Sequence, residues 1–175
     1  FNQHIDGVNF VICNTDAQAL AISGVPNRIQ LGPLLTQGLG AGANPDIGRQ
    51  ATEESLEEVS RILEVNTKMV FITAGMGGGT GTGGAPVIAE IAKQMGILTV
   101  GVVTRPFGFE GRKRMAIADE GIAQMKERVD SLIIVPNEKL LQVLGKDMTV
   151  LSAFKQANDV LFGAVQGITD LILLD

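Results

Sequence analysis

The chain has 175 residues, 45% apolar and 19% charged, a balance that suits one soluble globular domain with a sizeable core. Fourteen Lys and Arg against 19 Asp and Glu leave a net charge of −5, which argues against a bulk nucleic-acid surface or an anionic-membrane surface. There is no Trp or Tyr, one histidine (His4) and one cysteine (Cys13), so an internal disulfide is excluded and a His/Cys zinc cluster is not available. No apolar run reaches the ~20 residues that a membrane helix needs, so no direct membrane insertion is expected.

The chain begins at Phe1 without Met or a signal-like segment, and it closes on a helical pattern; both ends read as cut from something longer. A first apolar strand is predicted over residues 8–14, with Cys13 inside it as a buried, inert thiol. Asn14-Thr15-Asp16 follows. Thr and Asp both cap helices, and Asp16 could equally stand near a bound Mg²⁺ or its waters; the two roles are compatible. A short strand is predicted over residues 28–31.

Residues 38–48 form a glycine-rich segment that opens a helix. Small residues at four successive positions, Gly40 to Ala43, let a backbone approach a ligand. Asn44-Pro45-Asp46 is a helix start, and helical spacing then runs through Leu56, Val59, Ile62 and Leu63. A buried strand is predicted over residues 69–74. Directly after it comes the most unusual run in the chain, GMGGGTGTGG from Gly75 to Gly84, and then an amphipathic helix from Pro86.

Strand, glycine loop and helix start form an arrangement that receives an anion. Glycine lets backbone N–H groups close on a phosphate, and the helix end adds partial positive charge. Further strands are predicted over residues 98–104 and 131–136, with a helix over 112–129 between them. The connection Thr104 to Arg114 carries Phe107 and Phe109 as loop anchors. Glu110 and Arg114 stand four apart, which suits a helix ion pair or a ribose or phosphate contact. Asn137 is placed to cap a helix over 138–144. A last helix is predicted over 149–174, where Phe154 and Asn158 share one face. Such a pair is plain core by default, and is also what stacks and hydrogen-bonds a purine.

The strands are continuous apolar runs, as in a parallel sheet covered on both sides. The fold class expected is α/β, an open, mainly parallel Rossmann-like sheet with helices on both faces. Every unusual motif lies at the carboxyl end of a strand, where such sheets bind ligands. Walker A is excluded, because no Gly-Lys-Ser or Gly-Lys-Thr occurs and Gly145-Lys146-Asp147 fails the pattern. Gly79, Gly81 and Gly84 do fit the dinucleotide pattern. With Arg105 ending the next strand, an NADP-binding oxidoreductase stays open as an alternative, beside a non-hydrolysing nucleotide-binding module.

Taken together, Asn14-Thr15-Asp16-Ala17-Gln18-Ala19-Leu20, Gly40-Ala41-Gly42-Ala43-Asn44-Pro45, Gly77-Gly78-Gly79-Thr80-Gly81-Thr82-Gly83-Gly84, Arg105-Pro106-Phe107-Gly108-Phe109-Glu110-Gly111 and Ala164-Val165-Gln166-Gly167-Ile168 resemble the FtsZ branch of the tubulin/FtsZ superfamily, in the same order. The resemblance implies a tubulin-type GTPase domain of bacterial cell division that ends in a long central helix. It implies GTP/GDP as ligand, with Mg²⁺ accompanying GTP. Gly77, Gly78, Gly79, Thr80, Gly81 and Thr82 would wrap the phosphates, while Ala41, Gly42 and Ala43 approach the terminal phosphate. Glu110 and Arg114 would lie at the ribose and adjacent phosphate, and Asn137 near the nucleotide. Phe154 would stack on guanine and Asn158 would bond its edge.

It further implies self-association into head-to-tail filaments, with hydrolysis completed by the next subunit. Other division proteins would bind through regions outside these residues. Location would be cytoplasmic, at the mid-cell ring. Residues 1–175 are expected to be one GTP-binding domain lacking the family's first phosphate loop and its catalytic loop, and so nearly inactive alone; no catalytic residue is assigned.

Overall fold

The computed structural model describes residues 9–64 and 67–137, with Lys155 and Asp159. Strands and helices alternate: β1 (Val11–Asn14), α1 (Ala17–Ala21), β2 (Asn27–Gln30), α2 (Pro33–Thr36), α3 (Pro45–Glu54), α4 (Leu56–Glu64), β3 (Met69–Gly75), α5 (Thr80–Gln94), β4 (Leu98–Arg105), a 3-10 turn at Gly108–Glu110, α6 (Arg112–Arg128) and β5 (Ser131–Pro136). Among the described residues the named strands all pair in parallel: β1 with β2, and β3-β4-β5 with β4 in the middle. The class is the expected one, parallel sheets with helices on both sides and no barrel.

The strand sequences explain the layering. β4, between two partners, is buried from Thr99 to Thr104, which accounts for its continuous apolar run. β1 and β3 each have one strand partner among the described residues and are more exposed. The two strand groups share one core. Ile29 and Leu31 from the β2 region pack with Ala51, Val59, Leu63, Ala92 and Ile97, and Cys13 and Val70 press on the same cluster. A second cluster joins Ile72 and Val103 of the sheet to Ala85 and Ala89 of α5 and to Ala118, Ile122 and Met125 of α6. Cys13 is half-buried rather than fully buried, and that burial pushes its thiol up to about 11, so it stays protonated at neutral pH.

Two boundaries differ from the sequence expectation, each for a physical reason. The helix after Asn44 is not continuous to Leu63 but breaks at Ser55. Buried Ser55 turns its hydroxyl to the sheet, donating to the Gln30 carbonyl at 3.1 Å and accepting the Gly32 amide at 3.0 Å. The helix after the glycine run begins at Thr80, six residues before Pro86, so Thr80 to Gly84 are helical rather than loop. Helical glycines cost about 1 kcal/mol each against Ala, and here close packing requires them, Gly83 and Gly84 against α3 and Gly81 against the end of β3. A Cβ on Gly83 would fall 2.0 Å from the Pro45 carbonyl oxygen. One on Gly48 would fall 2.1 Å from the Gly79 carbonyl oxygen. The predicted helices over 138–144 and 149–174 lie outside the described residues.

Candidate functional site

The carboxyl ends of β1, β3 and β4 meet at the start of α5. Each helix that begins there must find partners for its first N–H groups, which have no acceptor within the helix. α1 and α3 solve this with their own side chains. Asp16 caps α1, its Oδ1 accepting from the amides of Gln18 at 2.9 Å and Ala19 at 3.3 Å. Asn44 caps α3, its Oδ1 accepting from the Asp46 amide at 3.0 Å.

α5 and α6 have no such cap. The N-cap of α5 is Gly79, without a side chain to offer, and the first intrahelical bond runs from the Gly83 amide to the Gly79 carbonyl. The N-cap of α6 is Gly111, and the first turn carries Arg112, Lys113 and Arg114 with no acid. Three cations at the positive end of a helix are unfavourable in isolation. The two helix starts are neighbours: a Cβ on Gly77 would lie 2.7 Å from Pro106 and 3.2 Å from the Arg114 carbonyl oxygen.

The glycine run is itself ordered by side chains. Gly77, at a φ of 114°, donates its amide to Thr82 Oγ1 at 2.8 Å. Thr80 Oγ1 and Thr15 Oγ1 are 2.6 Å apart, tying the end of β1 to the first turn of α5. Thr36 Oγ1 and the Gly40 amide both donate to the Thr15 carbonyl, extending this link to the 38–44 loop. Gly79 seats against Ala41, whose Cβ would be 2.8 Å from a Cβ built at Gly79. Ala43 takes the left-handed conformation at φ 58°, an unusual and mildly strained state for a non-glycine residue, of the kind found at ligand-binding loops.

The sequence-selected residues fall as follows. Ala41 is buried beside Gly79, while Gly42 and Ala43 are exposed. Gly78 has open space around its α-carbon, and Gly81 lies against the Gly75 carbonyl. Gly77 and Thr82 bond to each other, the Gly77 amide donating to Thr82 Oγ1. Glu110 accepts the Phe107 amide at 2.7 Å and stands 3.6 Å from Arg114, so it orders the turn and forms the ion pair that the spacing allowed.

Phe107 is wholly buried and stacks on Phe109, with ring centroids 5.0 Å apart. Asn137, at the end of β5, is 4% exposed, and its Oδ1 has no hydrogen-bond partner among the described residues. A buried acceptor left so is costly and suits a ligand contact. Phe154 and Asn158 lie outside the described residues.

Asn44 caps α3 as its place in the helix-start segment suggests, while the role of Gly48, letting α3 meet the start of α5, is not evident from the 38–48 glycine segment alone. A glycine inside a helical pattern was the available signal for Gly48. Arg105, the residue offered to an NADP 2′-phosphate, is ion-paired with Asp119. No group of three His, Cys, Asp or Glu able to hold a metal occurs among the described residues.

A model of the Tubulin/FtsZ family, GTPase domain, matches residues 1–145. The cell division protein FtsZ of Pseudomonas putida is 65% identical over 168 residues, covering 96% of this chain and 42% of its own length. The chain thus spans well under half of that relative. Among solved structures, an empty FtsZ dimer from M. jannaschii superposes with a TM-score of 0.93 at 49% identity, covering 98% of this chain and 49% of its own. GDP-bound CetZ1 from Haloferax volcanii superposes with a TM-score of 0.78 at 25% identity, covering 90% of this chain and 50% of its own.

Proposed function

The chain belongs to the tubulin/FtsZ family, and from that premise we propose that it forms one wall of the GTP site of a filament-forming cell-division GTPase. The observation that carries the reading is the start of α5, which has no side-chain cap and faces the strained 41–43 loop, whereas α1 and α3 beside it cap themselves. Donors without an acceptor at a positive helix end suit a polyphosphate.

In this reading the amides of Gly78, Gly79, Thr80 and Gly81 receive the phosphates. Ala41, Gly42 and Ala43 approach the terminal phosphate through their backbones. Glu110 and Arg114 stand at the ribose and the adjacent phosphate, and Asn137 supplies its Oδ1, which has no partner among the described residues. Phe154 and Asn158 take the base. Mg²⁺ accompanies GTP. The ion would be bound in part by phosphate oxygens and water, as is usual for Mg²⁺ beside a nucleotide. Its chemistry would be charge neutralisation between phosphates, while the chain's own residues bind and orient the nucleotide.

Head-to-tail assembly follows as part of the proposal. A heterologous interface leaves open ends and makes filaments, and the next subunit completes the hydrolytic site. The protein would act in the cytoplasm at the division ring, meeting other division proteins through regions outside these residues. The relatives' names support this reading, one a cell division protein and one solved as a dimer.

Competition for a fluorescent guanine nucleotide tests it, with and without Mg²⁺. GTP and GDP should displace the probe and NADPH should not. Displacement by NADPH, or no binding of either guanine nucleotide, overturns it.

A further inference from the structure

We propose that Thr82 is a positioning residue of the phosphate loop, acting through the Gly77 amide rather than by touching nucleotide. The inference rests on the nucleotide reading above and deepens it.

Thr80 and Thr82 look equivalent in GTGTGG, yet they sit in different surroundings. Thr80 is half-buried and faces β1, its hydroxyl 2.6 Å from that of Thr15. Thr82 is 3% exposed and lies on the far side of the helix start, against α6. Its Cγ2 fills the space left by the missing side chain of Gly121, where a Cβ would come within 2.5 Å. Its Oγ1 accepts the Gly77 N–H at 2.8 Å across five residues.

That single bond closes residues 77–82 into a ring. Gly77 is held from the other side by Pro106 and the Arg114 carbonyl, at a φ of 114° that few residues other than glycine adopt. With both ends of the ring fixed, the amides of Gly78, Gly79, Thr80 and Gly81 have one arrangement before any ligand arrives. Preorganised donors bind more tightly than donors that must be ordered on binding. Without the Thr82 oxygen, the Gly77 amide is a buried donor lacking its partner, and the ring can reopen to satisfy it.

The test uses the protein at its full natural length and fluorescent GDP as probe. Thr82→Val keeps the shape and removes the acceptor, whereas Thr82→Ser keeps the acceptor and removes the methyl group. Affinity is read at a temperature where each variant is fully folded by circular dichroism, so that a purely structural role leaves it unchanged. Thr82→Val should weaken GDP about tenfold, the effect of one buried hydrogen bond, and Thr82→Ser should stay within about threefold of wild type. Hydrogen exchange at the Gly77 amide should quicken in the Val variant and remain slow in the Ser variant.

If Thr82→Val fails to fold, Thr82→Ala and Thr82→Ser carry the same comparison, both lacking the methyl group. Equal GDP affinity in Val and wild type, or equal losses in Ser and Val, overturns the inference. Failure of wild type to bind GDP overturns the nucleotide reading itself, and this inference with it.

Discussion

The starts of α3 and α5 lie against one another, yet they are built on opposite principles. α3 begins with Asn44, Pro45 and Asp46: a side-chain cap, a residue without an N–H and a first-turn acid. Its cap is in place before any ligand binds. α5 begins with Gly79, has no cap and no acid in its first turn, and leaves its donors to be met from outside. The same contact joins them, since Gly48 and Gly83 let the two backbones touch. The difference separates a helix end that supports from a helix end that receives. It also separates two uses of glycine within one run. Gly83 permits packing, whereas Gly78 stands in open space.

The largest expected effect tests those two uses. Gly83→Ala drives a methyl group to 2.0 Å from the Pro45 carbonyl oxygen, and Gly48→Ala does the same at the Gly79 carbonyl oxygen. Backbone cannot yield as a flexible side chain can, so each should cost about 3 kcal/mol in urea unfolding, the upper end of overpacking penalties. Gly78→Ala meets nothing within 4 Å and should change stability by less than about 0.5 kcal/mol. If Gly83→Ala and Gly78→Ala unfold alike, the division between packing and receiving glycines is lost.

A second change breaks the comparison by giving α5 the kind of end that α3 has. Gly78→Asp places a carboxylate one residue ahead of the N-cap, where there is room for it. In the absence of ligand it should stabilise the fold by about 0.3–1 kcal/mol through the helix dipole. It should also repel the phosphates and weaken GDP at least about tenfold, an effect of about 1.4 kcal/mol. Unchanged GDP affinity in this variant would remove the start of α5 from the site.

The reverse change acts on α3. Asn44→Ala removes the cap and should cost about 1 kcal/mol of stability. The loss should be equal with and without GDP, because the bond from Asn44 to the Asp46 amide closes the helix end on itself. A stability loss that GDP fully restores would show that α3 also receives the ligand.

Much of this was legible in the chain, and the limits have causes. The strands over 69–75 and 131–136 are nearly continuous apolar runs, so their parallel pairing could be read directly, but each has one strand partner among the described residues and is mostly half-buried rather than buried. The helical half of GTGTGG could not. Glycine is a weak helix former, and tertiary packing against α3 and the end of β3 overrides that preference. The break at Ser55 was hidden for a similar reason, since a serine within a helical pattern does not announce that its hydroxyl bonds a distant strand end.

At the site, residue types pointed to a phosphate loop, but the division of labour between Thr80 and Thr82 depends on which side of the helix each faces, and α6 is needed to define it. The caps at Asp16 and Asn44 follow from local sequence. That α5 and α6 lack them was equally local, and becomes informative only when the four helix starts are set side by side.

The smallest expected effect concerns α6, whose start repeats the logic of α5 with charge added. Arg112, Lys113 and Arg114 crowd a helix end that is already positive, and Gly111 provides no cap. Of the three, Arg114 has Glu110 at 3.6 Å. An anion bound nearby relieves the other two, so the ligand-free protein should carry a small electrostatic penalty that ligand removes. Lys113→Glu should therefore stabilise the ligand-free fold by about 0.3–1 kcal/mol at low salt, fading as the Debye length shrinks to about 8 Å at physiological ionic strength. With saturating GDP the gain should shrink or change sign. Thermal melts at two salt concentrations, each with and without GDP, separate these cases. A gain that persists unchanged with GDP would mean that the start of α6 lies outside the reach of the phosphates, leaving α5 alone as the receiving end.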